Sequence, residues 1–352
     1  QVEAVFDVLR DSVLVVDAHG EILHANGCAE GLLFVAPSEA AGMPLADVVI
    51  DHQLVSTISD ARCGLPKEGR QYEQEIQVGG ETVAYEVHLQ SVGHTDEAMH
   101  AVVTVLRDLS REREIARLKS DFVSKASHEL RTPLSSISAY IEMLVDGDAA
   151  DETARQEFYA VISTETVRLQ RMINNLLNIS QIEAGLMHID RERVEFGELV
   201  ERAVRNMTPQ AHAKSLDIHT ELASVDLAVK GDSDMLYQVV VNLLSNAIKY
   251  TPEGGRVTLS ADAENLTHSL HFSVSDTGLG IAPDQTEKVF DKFYRVENYR
   301  RVAQGTGLGL NLCRHIVETL HSGQIGVESQ LGMGSKFWIS IPVGECSVKL
   351  AA

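Results

Sequence analysis

Between Phe122 and Leu144 the apolar residues Phe122, Ala126, Leu130, Leu134, Ile137, Ile141 and Leu144 recur at steps of three and four. That period belongs to a long amphipathic helix and to nothing else of this length. Gly147 and the stretch Asp148–Asp151 interrupt it. A second stripe then follows through Phe158, Ile162, Leu169, Met172, Leu176 and Ile179, with Glu165 as its one polar intruder. Two such helices joined by a short turn form an antiparallel hairpin that cannot cover both stripes by itself. Pairing two hairpins into a four-helix bundle covers them, so a homodimer is expected. The competing arrangement is a monomeric hairpin packed on a flanking domain.

At 352 residues the chain has room for two or three cores. Upstream of the helices, Ser12–Asp17 and Glu21–Asn26 read as short strands around a turn at Ala18, His19 and Gly20. QYEQEIQV and ETVAYEVHLQ flank Gly79 and Gly80 as a second hairpin, and AVVTVL as a further strand closes on Asp108, Leu109 and Ser110. Downstream, from about Val194 to Val343, helices and strands alternate. The expected division is 1–108 for an α/β sensor-like module, 109–187 for a linker and helical hairpin, 188–345 for an α/β domain and 346–352 for a tail.

A formal charge of −21 repels nucleic acid and anionic lipid unless a basic patch intervenes, and the sequence holds no such patch. An anionic nucleotide must then be held by backbone amides and a divalent cation. Cys28, Cys63, Cys313 and Cys346 are scattered without CxxC spacing or clustered histidines, which argues against a zinc site and a disulfide framework and suits a reducing compartment. No run is long and apolar enough to span a bilayer and no signal peptide opens the chain. A cytoplasmic location is expected, with membrane attachment only through a segment ahead of Gln1.

HELRTPL, His128 to Leu134, is the sharpest local signal. At about 100° per residue His128 falls roughly opposite the apolar stripe, and so faces out. Pro133 inside the helical pattern costs about 3 kcal/mol and frees the Glu129 carbonyl, a violation of local preference of the kind kept at functional sites. Glu129 can accept the Nδ1 proton and so raise the nucleophilicity of Nε2 toward phosphorus. Thr132 lies on the same face, where its hydroxyl can orient a water.

Farther on, Leu236, Val240, Leu243 and Ala247 form the buried side of a helix from Met235 to Tyr250, while Gln238, Asn242, Asn246 and Lys249 share another side. Either that side is simply solvated, or Asn246 offers an oxygen to Mg²⁺ and Lys249 meets phosphate. Leu270, Phe272 and Val274 alternate with Asp276 on the same inward face, and a buried carboxylate needs a partner such as an adenine amine. Gly278 and Gly280 follow at once. GTGLGL, Gly305 to Leu310, precedes another helix, where free amides suit phosphate. The preceding strand of a dinucleotide fold and the P-loop lysine are both missing.

HELRTPL resembles the H box of HisKA-type histidine kinases. NLLSNAIKYTP, DTGLG, FDKFYR and GTGLGL stand in the order of the N, G1, F and G2 boxes of the GHKL ATPase superfamily in its histidine-kinase branch, and about 240 residues carry the resemblance. It implies that His128 is the phosphoacceptor, Glu129 the acid/base and Thr132 the residue used in dephosphorylating a response regulator. It also implies a multidomain α+β chain whose dimeric helical bundle precedes a Bergerat-type α/β sandwich, with a lid between Asp276 and Gly305. Asn246 would bind Mg²⁺, Asp276 adenine, Tyr250 would pack near the base, Arg295 would meet the γ-phosphate, and Gly305, Gly307 and Gly309 would hold phosphates. The same boxes extend the ATP site to Asn242, Lys249, Gly278, Gly280, Ile281, Thr306 and Leu308. Two departures are Gln304 in place of a common glycine and His321–Ser322–Gly323 in place of HGG; altered lid flexibility is the expected effect.

Residues 1 to about 108 resemble a PAS domain, a class that binds small ligands or only relays through dimer contacts; the sequence names no ligand. LSREREIARLKSDF continues the helical seam through Ile115, Leu118 and Phe122, so a change in its rotation is the expected relay. The resemblance thus implies an ATP-dependent kinase that phosphorylates His128 and passes the group to an aspartate of a response regulator. The alternatives are a GHKL ATPase of the chaperone or topoisomerase kind and a non-catalytic scaffold.

Overall fold

The computed structural model describes residues 9–64, 69–92, 101–149, 151–223, 227–264, 268–296, 299 and 305–343. Gln304, Cys346, the tail and the side chain of Cys63 lie outside them. Two compact units divide at Asp121 and Phe122.

In the first unit β1 (Ser12–Val16), β2 (Ile22–Ala25), β3 (Arg70–Val78), β4 (Glu81–Val92) and β5 (Ala101–Asp108) form an antiparallel sheet in the order β2-β1-β5-β4-β3. Gly79 and Gly80, at φ of 60° and 91°, supply the left-handed pair that a tight hairpin turn demands. Helix α1 (His52–Gly64) sets Leu54, Ile58 and Ala61 at helical spacing into the core, which also holds Leu14, Ile76, Val87 and Leu106. Buried Asn26 accepts from the Val13 amide at 2.9 Å and donates to the Asp11 carbonyl at 2.9 Å, fixing the entry to β1. Helix α2 (Ser110–Asp146) begins in this unit, where Arg113 pairs with Glu73 at 2.6 Å and Glu75 at 3.3 Å on β3.

In the second unit α2 continues to Asp146, Gly147 turns the chain at φ 81°, and α3 (Glu152–Glu183) starts on Asp151, whose carboxylate accepts from the Ala154 amide at 2.8 Å. The predicted hairpin is present, with Tyr140 edge-on to Phe158 at 5.2 Å, and the intruder Glu165 pairs with Arg168 at 3.4 Å. Within one protomer the stripe stays partly uncovered, as expected of a hairpin by itself: Leu134 and Ile141 keep 54% and 47% of their surface exposed.

The α/β part contains β6 (Glu192–Glu195), α4 (Phe196–Ala213), β7 (Asp217–Leu222), β8 (Ala228–Gly231), α5 (Ser233–Tyr250), β9 (Arg256–Glu264), β10 (Ser269–Asp276), α6 (Gly309–Arg314), β11 (Gln324–Gln330) and β12 (Gly334–Pro342). Its main sheet runs β11-β12-β10-β9-β7, antiparallel except for the parallel β7–β9 pair. The inward residues Leu270, Phe272 and Val274 of β10 share a core with Leu236, Val240 and Leu243 of α5 and Phe196 of α4, whose ring meets Phe272 at 5.3 Å. Helix α6 gives way to a π-helical turn, His315–Leu320.

The His321–Ser322–Gly323 departure sits at the start of β11 rather than in the lid. Ser322 holds a left-handed φ of 54°, the conformation that glycine adopts without strain. His321 is buried, accepts from the Asp232 amide at 3.1 Å and lies 2.8 Å from the Ile316 carbonyl. Its place is structural: it braces the start of α5.

Candidate active site

Helix α5 is started by Asp232, whose carboxylate accepts from the amides of Asp234 at 3.1 Å and Met235 at 3.0 Å. Because its apolar side faces the sheet, Asn242, Asn246, Lys249 and Tyr250 are turned to the wall of a cavity of about 720 Å³. Asp276 at the end of β10 forms a second wall with Gly280 and Ile281, and Arg295, Gly305, Thr306, Gly307 and Gly309 form a third. Two expected members stand behind the surface. The Gly278 amide donates to Asp276 Oδ1 at 2.8 Å, and Leu308 is fully buried as the cap of α6.

The electrostatics follow from burial. Desolvation pushes the Asp276 carboxyl up to about 6, against the hydrogen bonds from the amides of Gly278 and Ser335. Desolvation holds Lys249 below its ordinary range, with the positive charges of Arg171 and Arg295 acting in the same direction. Lys249, Arg171 and Arg295 all line the cavity, so an anion is attracted there despite the acidic surface. The Cys313 thiol, fully buried behind the site, is pushed up to about 12, which leaves it an inert thiol.

A purine nucleotide fits this arrangement. Asn242 lines the cavity, and its side chain also hydrogen-bonds the buried Cys313 thiol behind it. Glycine is required where backbones cross: a Cβ at Gly280 would collide with the Gln330 carbonyl, and one at Gly307, at φ 68°, would stand 2.7 Å from the Phe293 carbonyl carbon. Among the described residues no three His, Cys, Asp or Glu side chains gather around a point. Asn246 Oδ1 on the cavity wall could serve a cation as a protein ligand, with phosphate oxygens and water completing the shell in the manner usual for Mg²⁺.

The H-box residues lie elsewhere. His128 is exposed on α2, Glu129 is half-buried and Pro133 is buried. The Thr132 hydroxyl donates to the His128 carbonyl at 3.3 Å. None of His128, Glu129 and Thr132 lines the cavity, so this conformation keeps acceptor and nucleotide site apart.

Sequence reasoning missed the wall contributed by α3, where Arg168, Arg171 and Asn175 line the cavity. The steps of three and four between them put the three on one helix face, but that spacing does not say what the face meets. Tyr299 was missed as well; its hydroxyl donates to the carbonyls of Leu279 at 3.2 Å and Gly280 at 2.9 Å, and its ring lies 6.2 Å from Tyr250.

Three family models match the chain. Residues 6–114 match the PAS fold, 118–185 the His Kinase A (phospho-acceptor) domain, and 231–345 the histidine kinase-, DNA gyrase B- and HSP90-like ATPase. Sensor histidine kinase WalK of Bacillus subtilis is 31% identical over 97% of the chain and 55% of its own length. The chain belongs to the sensor histidine kinases. The alginate biosynthesis sensor protein KinB of Pseudomonas aeruginosa is similar to this sensor kinase at 30% identity over 97% of the chain and 57% of its own length. The chain thus spans about half the length of the curated relatives it matches. Histidine kinase ThkA, solved in complex with response regulator protein TrrA, shares the fold at a TM-score of 0.52 and 20% identity, covering 97% of this chain and 98% of its own.

Proposed function

We propose that the chain is the signalling and catalytic part of a two-component sensor kinase. His128 Nε2 attacks the γ-phosphorus of ATP, the bond to the ADP oxygen breaks as the N–P bond forms, and Glu129 takes the Nδ1 proton. The phosphoryl group then moves to an aspartate carboxylate of a response regulator, and Thr132, once turned from the His128 carbonyl, orients a water for the reverse dephosphorylation. The observation that carries this reading is HELRTPL on an exposed helix face in the same chain as a cavity walled by Asn246, Lys249, Asp276, Arg295 and the glycines of GTGLG.

In this reading Asp276 accepts from the adenine amine and Tyr250 and Ile281 pack beside the base. Asn246 is the protein ligand to Mg²⁺, which when bound neutralises phosphate charge. Asn242, Lys249, Arg295 and the backbone of Gly305, Thr306, Gly307 and Gly309 hold the phosphates. Gly278, Gly280 and Leu308 shape the backbone around them. Residues 1–108 sense or relay, 109–187 dimerise and accept phosphate, 188–345 bind nucleotide and 346–352 form a tail. Half-exposed Leu134 and Ile141 support a homodimer through the hairpin. The free thiols Cys28 and Cys313 suit a reducing, cytoplasmic setting. Among the described residues no helix is long and apolar enough to cross a membrane.

The test is incubation of the purified chain with Mg²⁺ and γ-labelled ATP. An acid-labile, base-stable label is expected on the wild type and none on His128→Gln. A label that survives in the variant, or its absence from both under every condition, overturns the reading.

A further inference from the structure

The C-terminus of α5 poses an accounting problem, because the last four carbonyls of a helix have no intrahelical donor. Here they belong to Ala247, Ile248, Lys249 and Tyr250, beside the residues that face the nucleotide cavity. Ala247 accepts from Thr251, through its amide at 3.1 Å and its hydroxyl at 2.6 Å. Tyr250 accepts from the Leu279 amide at 3.3 Å. The other two converge on one side chain: Lys214 Nζ donates to Ile248 at 2.8 Å and Lys249 at 2.9 Å, and also to the Thr251 carbonyl at 2.9 Å. All three ammonium protons are spent, and the positive charge faces the negative end of the helix dipole.

Lys214 lies outside the cavity, on the turn after α4, and is itself fixed. Its amide donates to the Ala211 carbonyl at 3.0 Å, its carbonyl accepts from the Gly254 amide at 3.3 Å, and Ser215 beside it holds a left-handed φ of 54°. The carbonyl edge it secures is also the seat of the loop after β10. Leu279 bonds to Tyr250 there, and a Cβ on Gly278 would stand 2.5 Å from the Tyr250 oxygen. One ammonium thus holds the carbonyls on both sides of Tyr250, whose own carbonyl receives the Leu279 amide of the turn that follows Asp276.

We infer that Lys214 is a positioning residue of the nucleotide site, acting through the end of α5 on both the phosphate-side Lys249 and the base-side turn that follows Asp276. The inference rests on the ATP reading above. Its test uses the full chain, with Mg-ADP titrated calorimetrically, autophosphorylation kinetics and amide hydrogen exchange. Lys214→Met is expected to raise the ADP dissociation constant and the KM for ATP at least about tenfold with kcat changed less than about threefold. The Thr251 and Leu279 amides should exchange faster while amides of β9, β10 and β12 stay protected. Lys214→Arg, which restores charge and donors, is expected to recover most of the affinity, and it serves as the readout should Lys214→Met fail to fold.

Equal affinity in wild type and Lys214→Met, a loss confined to kcat, loosening of the whole sheet, or an arginine variant as weak as a folded methionine variant overturns the inference. Failure of the wild type to bind ADP at all would instead sink the ATP reading, so the two failures are distinguishable.

Discussion

Lys292 Nζ lies 2.7 Å from Glu183 Oε1, an ion pair that ties the segment following β10 to the last residue of α3, 109 positions earlier in the chain. The same ammonium sits 4.8 Å over the Phe122 ring, Phe122 meets Phe293 at 5.6 Å, and His315 Nε2 approaches Glu183 at 3.5 Å. His128 does not line the cavity, so in the proposed transfer a motion of the nucleotide-binding part toward His128 of the same chain would have to break this contact. Both partners are partly exposed, so the pair contributes about 0.2–1 kcal/mol. Glu183→Gln is therefore expected to speed autophosphorylation by about 1.5- to 5-fold at low salt, with the gain shrinking as salt screens the pair. Initial rates at two ionic strengths check it; an unchanged or slower rate removes the contact as a brake.

Replacing Asn246 or Asp276 by alanine is expected to weaken Mg-ADP binding at least about 100-fold, because in the proposed site each removes a charged or metal-directed contact from a desolvated cavity. Sedimentation should show the same oligomer as the wild type. Calorimetry that returns native affinity would reassign both residues.

Asp276 also sets a pH dependence. Its carboxyl is raised from the ordinary 3.8 to about 6 by burial, so between these values the folded chain holds more protons than the unfolded one. Stability from this group is greatest below 3.8 and is lost as pH rises to about 6. Under the proposed adenine contact nucleotide affinity has the opposite sign, because the ionised carboxylate is the stronger acceptor for the adenine amine. Affinity for ADP is expected to fall as pH drops below about 6, and the ratio of wild type to Asp276→Asn affinity isolates this effect from protonation of the phosphate itself. A ratio independent of pH from 5 to about 8 would contradict it.

The apolar face left open by the hairpin predicts the effect of Ile141→Asp. Each protomer of a dimer would bury that side chain, worth about 1.5–3 kcal/mol apiece, so its loss is expected to weaken dimerisation by roughly 100-fold or more. Sedimentation at micromolar concentration reads the outcome, and a variant that dimerises like the wild type would point to another interface.

Inserting two residues after Arg113 rotates everything downstream on α2 by about 200°. Because Arg113 is pinned to Glu73 and Glu75 on β3, the seam at Ile115, Leu118 and Phe122 is expected to leave its register and change the autophosphorylation rate several-fold. An unaltered rate would count against a helical relay.

Much of the molecule was written in short-range pattern. The three-and-four spacing from Phe122 to Leu144 determined α2, Gly147 determined its end, Gly79 and Gly80 determined the β3–β4 turn, and the boxes supplied many of the residues that line the cavity, Asn242, Asn246, Lys249, Asp276 and Gly307 among them. These features are local: helical period, left-handed turns and strand alternation act over a few residues, so a sequence states them directly. Lys214 under the end of α5, Lys292 against Glu183, Arg168 and Arg171 on the cavity wall, and His321 bracing Asp232 were decided only by tertiary structure. Each joins residues tens of positions apart, and what brings them together is the way α3, α4 and α5 pack on one another and on the sheet, a long-range geometry that no local spacing encodes.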